Sequence, residues 1–149
     1  MTFSGSFEHS VDERGRIAIP SKYRKELQPG DGVVLRSNAD GCIELYTSEG
    51  FEAEFVLRQQ EQRSTREVAG RRIRRAFLAN AYDVELDRQG RVLVPQGLRD
   101  EAALRDRAMI VGCGEYIEIW NPLRWEAELA AIAAEQRRAL GGDGTGDES

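Results

Sequence analysis

The chain has 149 residues with 21 Lys+Arg against 26 Asp+Glu, a formal charge of −5, 40% hydrophobic and 32% charged residues. This balance excludes disordered and fibrous classes, and the length suits one domain or two small units sharing a core. No apolar run approaches the ~20 residues that span a bilayer. The first ten residues predict no secretory leader, and Cys42, Cys113 and His9 offer neither a disulfide framework nor a zinc set, which points to a reducing cytosol.

In chain order, a first strand leads into the turn Asp12-Glu13-Arg14-Gly15, and Ile17-Ala18-Ile19 form a short strand that stops at Pro20. The Asp carboxylate can accept backbone N–H groups across the turn, and Gly can take φ > 0. Ser21 is placed to cap a short helix carrying Tyr23 and Leu27, which Pro29-Gly30-Asp31-Gly32 ends. Val33-Val34-Leu35 and Ile43-Glu44-Leu45-Tyr46 read as strands around a Ser37–Gly41 turn. Ser48 to about Glu61 predicts a helix with Phe51 and Phe55 one turn apart. A basic helix follows to about Asn80, with Val68, Ile73, Ala76 and Phe77 as its apolar face. Met109-Ile110-Val111 and Tyr116 to Trp120 are the later strands. Asn121-Pro122 then opens a helix striped by Trp125, Leu129 and Ile132. From Gly141 onward only Gly, Asp, Thr, Glu and Ser occur, which predicts a disordered tail.

The chain repeats itself. Asp12-Glu13-Arg14-Gly15-Arg16-Ile17-Ala18-Ile19-Pro20 returns 75 positions later as Asp87-Arg88-Gln89-Gly90-Arg91-Val92-Leu93-Val94-Pro95, with Arg24 against Arg99. Ile43 to Tyr46 matches Ile117 to Trp120, and Phe51-Glu52 matches Trp125-Glu126, at an offset of 74. One duplicated unit of ~50 residues is too small to stand alone, so two should share a sheet about a pseudo-two-fold axis.

Chemistry is sparse. There is no Ser–His–Asp set, H-E-x-x-H, P-loop or G-x-G-x-x-G. Asp12 and Asp87 could pair as an acid and base, but each has a cheaper role in its own turn. The repeated D-x-x-x-R has two compatible readings. In one, Arg16 and Arg91 fold back on Asp12 and Asp87 to brace the turns. In the other, rigid turns present Arg14, Arg16, Arg88 and Arg91, whose planar forks suit guanine edges or phosphate. The stretch Arg58–Arg75 has seven Arg against Glu61 and Glu67, locally +5, so a basic surface on an acidic protein remains open. Trp120 and Trp125 read as core or interface; Cys42, Cys113 and His9 read as inert.

These segments resemble the MraZ family of bacterial transcriptional regulators, of the SpoVT/AbrB-like class. The resemblance runs from Phe3-Ser4-Gly5-Ser6-Phe7-Glu8-His9 to Trp125-Glu126. It is carried by His9 to Arg16 with Pro20 and Arg24, Leu86 to Pro95 with Leu98-Arg99, Val111 to Gly114 and Glu118 to Trp120. Ala79-Asn80 stands where the family often has Ser-Gly, and Ala103 where Gly is common.

The resemblance implies an α+β, mainly β fold: a pseudo-two-fold swapped-hairpin barrel from two repeats, flanked by helices. The units are repeat 1 at 5–52, a helical connection at 53–80, repeat 2 at 81–126, a helix end at 127–140 and the tail at 141–149. It implies a non-enzymatic, cytoplasmic and nucleoid-associated repressor without cofactor, metal, membrane or small-molecule substrate. That repressor assembles as a ring homo-oligomer and binds short direct repeats in double-stranded DNA upstream of the cell-division and cell-wall operon. The DNA-binding residues would be Asp12, Arg14, Arg16, Arg24, Asp87, Arg88 and Arg91, with Lys22 or Arg24 on phosphate and the first unit making most base contacts. The rival readings are an oligomeric protein-binding scaffold with purely structural turns, and an antitoxin-like module. The latter is disfavoured because both halves lie in one chain and the tail is short.

Overall fold

A computed structural model describes residues 2–61 and 67–145. The chain runs β1 (Ser6–Ser10), β2 (Arg16–Ala18), a 3-10 turn (Ser21–Tyr23), β3 (Gly32–Ser37), β4 (Ile43–Thr47), α1 (Ser48–Glu61) and α2 (Val68–Leu78). The second half runs β5 (Ala81–Glu85), β6 (Arg91–Leu93), α3 (Gln96–Glu101), β7 (Arg107–Gly112), β8 (Ile117–Trp120) and α4 (Pro122–Thr145).

The repeats exchange strands. β1 pairs antiparallel with β7 of the second repeat, and β5 pairs with β3 of the first. Ser10 faces Arg107 in one pair and Glu85 faces Gly32 in the other, so the registers are equivalent under the 75-residue shift. β4 and β8 meet at the centre of a six-stranded sheet of order β1-β7-β8-β4-β3-β5. β2 and β6 form a separate two-stranded ribbon. The expected barrel is therefore not closed: β1 and β5 are the edges of an open sheet, and the short motif strands form their ladder with each other, Ile17 also bridging Val11.

Side-chain alternation explains how the ribbon joins the core. Ile17 and Val92, directly paired, turn inward and are fully buried with Leu35, Leu45, Ile110 and Ile117. Each such side chain contributes about 1.5–3 kcal/mol by leaving water. His9 of β1 donates from Nδ1 to the Ala18 carbonyl at 2.7 Å, fastening ribbon to sheet. The residue read as inert is thus a structural clamp.

Other expectations shift. Ser21 caps nothing, because Pro20 holds the cap position without a side-chain bond and the turn is 3-10. Asn121 does cap α4, its Oδ1 accepting from Leu123 N at 2.8 Å and Arg124 N at 3.1 Å. α4 continues past Gly141 to Thr145, so the predicted tail does not begin where the helix was expected to stop; residues 146–149 lie outside the described residues. On α2 only Phe77 is buried, while Val68 and Ile73 face outward. The predicted apolar face is split: Phe77 turns toward α1, stacking on Phe51 at 5.0 Å, and Val68, nine residues earlier, lies on the opposite side of the helix. Arg63 and Arg66 of the basic stretch lie outside the described residues.

Candidate nucleic-acid interface

The two D-x-x-x-R turns flank the β2–β6 ribbon. In the first, Asp12 Oδ1 accepts the backbone N–H of Arg14 at 2.9 Å and of Arg16 at 2.8 Å, while Gly15 N donates to the Asp12 carbonyl at 2.9 Å. In the second, Asp87 Oδ1 accepts from Gln89 N and Arg91 N, both at 2.9 Å. Gly15 and Gly90 sit at φ +91° and +75°, where a Cβ is disfavoured. These backbone donors, Arg16 N–H first for Asp12 and Arg91 N–H first for Asp87, hold both carboxyls below their ordinary range.

Each turn is also tied to the other repeat. Val94 N donates to the Gly15 carbonyl and Ile19 N to the Gly90 carbonyl, both at 3.0 Å. Two short turns become one rigid platform, which lowers the entropy lost on binding a ligand.

The arginine side chains divide by repeat. Arg91 is committed inward: Nε donates to Asp87 Oδ2 at 3.0 Å and Nη1 to Asp12 Oδ2 at 3.4 Å. Arg99 is committed as well, with Nε on the Val94 carbonyl at 2.9 Å and its guanidinium over Gly15, where an added Cβ would meet it at 2.5 Å. Their first-repeat counterparts are not so held. Arg16 is half-buried and Arg24 exposed, and neither side chain makes a hydrogen bond or salt bridge among the described residues. Arg14 and Arg88 are exposed at the turn tips. Lys22 donates to Ser4 Oγ at 3.0 Å, anchored to the N-terminal segment.

Arg16, Ala18, Arg91 and Leu93 share the outward face of the ribbon, with Arg16 directly opposite Leu93. Leu93 is 45% exposed, an apolar side chain between guanidinium groups. Sequence reading missed it as a site residue; its alternation with buried Val92 and Val94 was the available signal. Such a face can offer charge to phosphate, forks to guanine and an apolar contact to a thymine methyl.

Other chemistry has little to work with. Asp12 and Asp87 are each spent on turn backbones and bridged by Arg91. Burial pushes the Cys42 thiol up and the Cys113 thiol to about 12, far from the ionised form a nucleophile needs. No cluster of three or more His, Cys, Asp or Glu suited to a metal occurs among the described residues. No helix among them is long and apolar enough to cross a membrane.

The family described as "MraZ protein, putative antitoxin-like" matches residues 2–76 and again 77–141, one match to each repeat. The chain belongs to the MraZ family. A Marinobacter nauticus relative named "Transcriptional regulator MraZ" is 42% identical over 139 residues, covering 90% of this chain and 91% of its own. A Roseiflexus castenholzii protein of the same name is 38% identical over 132 residues, covering 89% and 90%. Both alignments cover about nine tenths of this chain.

Proposed function

We propose that this chain is a sequence-specific DNA-binding transcriptional regulator: a cytoplasmic, nucleoid-associated repressor working as a ring-like homo-oligomer on direct repeats upstream of the cell-division and cell-wall operon. One observation carries the reading most directly. The repeated motif is committed by hydrogen bonds in one copy, through the Arg91 guanidinium, whereas in the other the Arg16 guanidinium makes none among the described residues and acts on Asp12 through its charge alone. A purely structural motif gives no reason for that difference, whereas a reading head needs one braced arginine and one available one. Family membership supports the same function, because the relatives bear the name of transcriptional regulators.

In this reading Arg14, Arg16 and Leu93 meet base edges, with Arg88 and Arg24 on phosphate, while Asp12, Asp87, Arg91 and Arg99 keep the platform rigid. One platform binds weakly. Copies in an assembly that meet successive repeats gain roughly 10²–10⁴ in affinity from linkage. That reconciles tight binding with a net charge of −5. Occupied promoter repeats exclude polymerase.

The test is fluorescence anisotropy on DNA from upstream of the chain's own gene, with repeat number and salt varied and Arg16→Ala alongside wild type. Expected are a jump in affinity with correctly spaced repeats, a fall as salt rises, and loss of specific binding in the variant with its assembled mass retained. Wild-type binding by the variant overturns the assignment; stoichiometric capture of a protein with no DNA preference favours a scaffold.

A further inference from the structure

The arginines around α2 fall into two sets. Inward, Arg74 lies over the Phe55 ring at 5.1 Å, while Arg58 of α1 and Arg36 of β3 lie over Phe77 at 4.4 and 4.5 Å. Those cations are spent on packing. Arg71, Arg72 and Arg75 belong to the other side. At 3.6 residues per turn they stand about 120°, 140° and 160° from buried Phe77, inside one arc of about 100°. Arg72 and Arg75 are exposed, and their side chains make no hydrogen bond, salt bridge or ring contact among the described residues. α2 carries four arginines and no acid, in a chain whose net charge is −5.

This arc lies behind the sheet, away from the β2–β6 platform. Side chains alternate between the two faces along β3. Leu35 packs in the core with Ile17 and Val92 of the ribbon, whereas its neighbour Arg36 reaches the opposite face and meets Phe77. The sheet therefore separates platform from helix. Layers stacked ~10 Å apart put the two surfaces roughly 20 Å from each other. A straight duplex lying on the platform does not touch α2.

The make-up of the arc selects its ligand. Protein partners are anchored on large apolar or aromatic side chains at the centre of the contact. Here the arginines are flanked by Val68, Ala76 and the C-cap Ala79, which supply no such anchor. A phosphate backbone needs only cations, and guanidinium forks take its oxygens two at a time. Arg71 and Arg72 stand four and three positions before Arg75, so the groups are side by side, with about 5–6 Å between Cβ atoms. We propose that the outward face of α2 is a second, sequence-independent contact for duplex DNA. A molecule reading one duplex through its platform would hold another stretch on its opposite side and bridge the two. The inference rests on the DNA-reading platform of the proposed function and adds bridging to it. Each pair of arginines grips feebly, and copies acting together add their grips.

The test loads the full chain on an immobilised duplex from upstream of its own gene, washes it, and offers a fluorescent duplex of random sequence. Wild type should capture the second duplex, less so as salt rises. The Arg72→Ala, Arg75→Ala double variant should load on the first duplex as wild type does and capture the second roughly tenfold less, with circular dichroism confirming the fold. Equal capture by the variant, or a loaded wild-type surface that captures nothing, overturns the α2 contact and leaves the platform reading in place. Polyglutamate that competes as well as DNA at equal charge also overturns it, giving the face to an acidic protein. A surface that never loads overturns both.

Discussion

The guanidinium of Arg91 reaches across the repeat boundary to Asp12, 3.4 Å from its Oδ2, while its Nε holds Asp87 at 3.0 Å. One side chain therefore braces both turns, whereas the Arg16 side chain hydrogen-bonds neither and acts on Asp12 only through its charge. Alanine substitutions should separate the two roles. Arg16→Ala is expected to leave the melting temperature near wild type and to cost about 1–3 kcal/mol of discrimination for each base edge left unread. Arg91→Ala is expected to lower the melting temperature and weaken binding only secondarily. Thermal melts paired with gel shifts check this, and equal melting losses in the two variants would defeat the division of labour.

Ala103 follows α3 at φ +55°, the left-handed region that penalises a Cβ. Its carbonyl accepts from Asn121 Nδ2 at 2.7 Å, so the strained turn is tied to the start of α4. Ala103→Gly should raise stability by about 0.5–1 kcal/mol, with relief of strain exceeding the added chain entropy. Ala102→Gly, at φ −86° and buried, should do the opposite. Urea melts of the pair decide the matter.

Acid should loosen the platform. Asp12 and Asp87 are held below their ordinary range, so their contribution is fully present above an unfolded carboxylate pKa of about 3.9 and is lost as pH falls through the lower folded values. The Asp12→Asn, Asp87→Asn double variant should show a shallower stability loss than wild type below about pH 4. Melts taken from pH 6 downward would reveal it, and parallel curves would disprove it.

The Arg36–Glu44 pair lies at 2.6 Å with side chains only 10% and 4% exposed. Glu44 also accepts from Asn38 Nδ2 at 2.6 Å and Tyr46 OH at 3.0 Å, and Arg36 Nε donates to the Phe77 carbonyl at 3.3 Å, so the pair joins the β3–β4 hairpin to α2. Glu44→Gln strands a buried guanidinium and should cost about 3 kcal/mol or more. Chemical denaturation measures the loss; a change under 1 kcal/mol would mean water reaches the site.

The turns were readable from sequence because their chemistry is local: Asp accepts within four residues, and Gly must follow. The duplication also announced the pairing symmetry, and Asn121-Pro122 announced α4. What escaped was decided by distant contacts. Ile73, Ala76 and Phe77 share a helical period, but Phe51 and Arg36, far away in sequence, pull only Phe77 inward, while Val68, nine residues from Phe77, falls on the opposite side of the helix. Ser21 has capping chemistry, yet the turn after Pro20 is too tight to use it. Arg16 and Arg91 occupy the same motif position, and no local signal says that only one reaches across the repeats. Open-sheet connectivity against a closed barrel is likewise a matter of which strands find each other.

Strand exchange also sets an order of events at the ribosome. β1 is synthesised about 100 residues before β7, its neighbour in the sheet. The nascent N-terminal half is therefore held with an orphan edge and an unfinished ribbon. Pairings of such long separation are slow to form. A prematurely terminated product would carry half a sheet and half a grip, with the edges of β1 and β3 left unpaired.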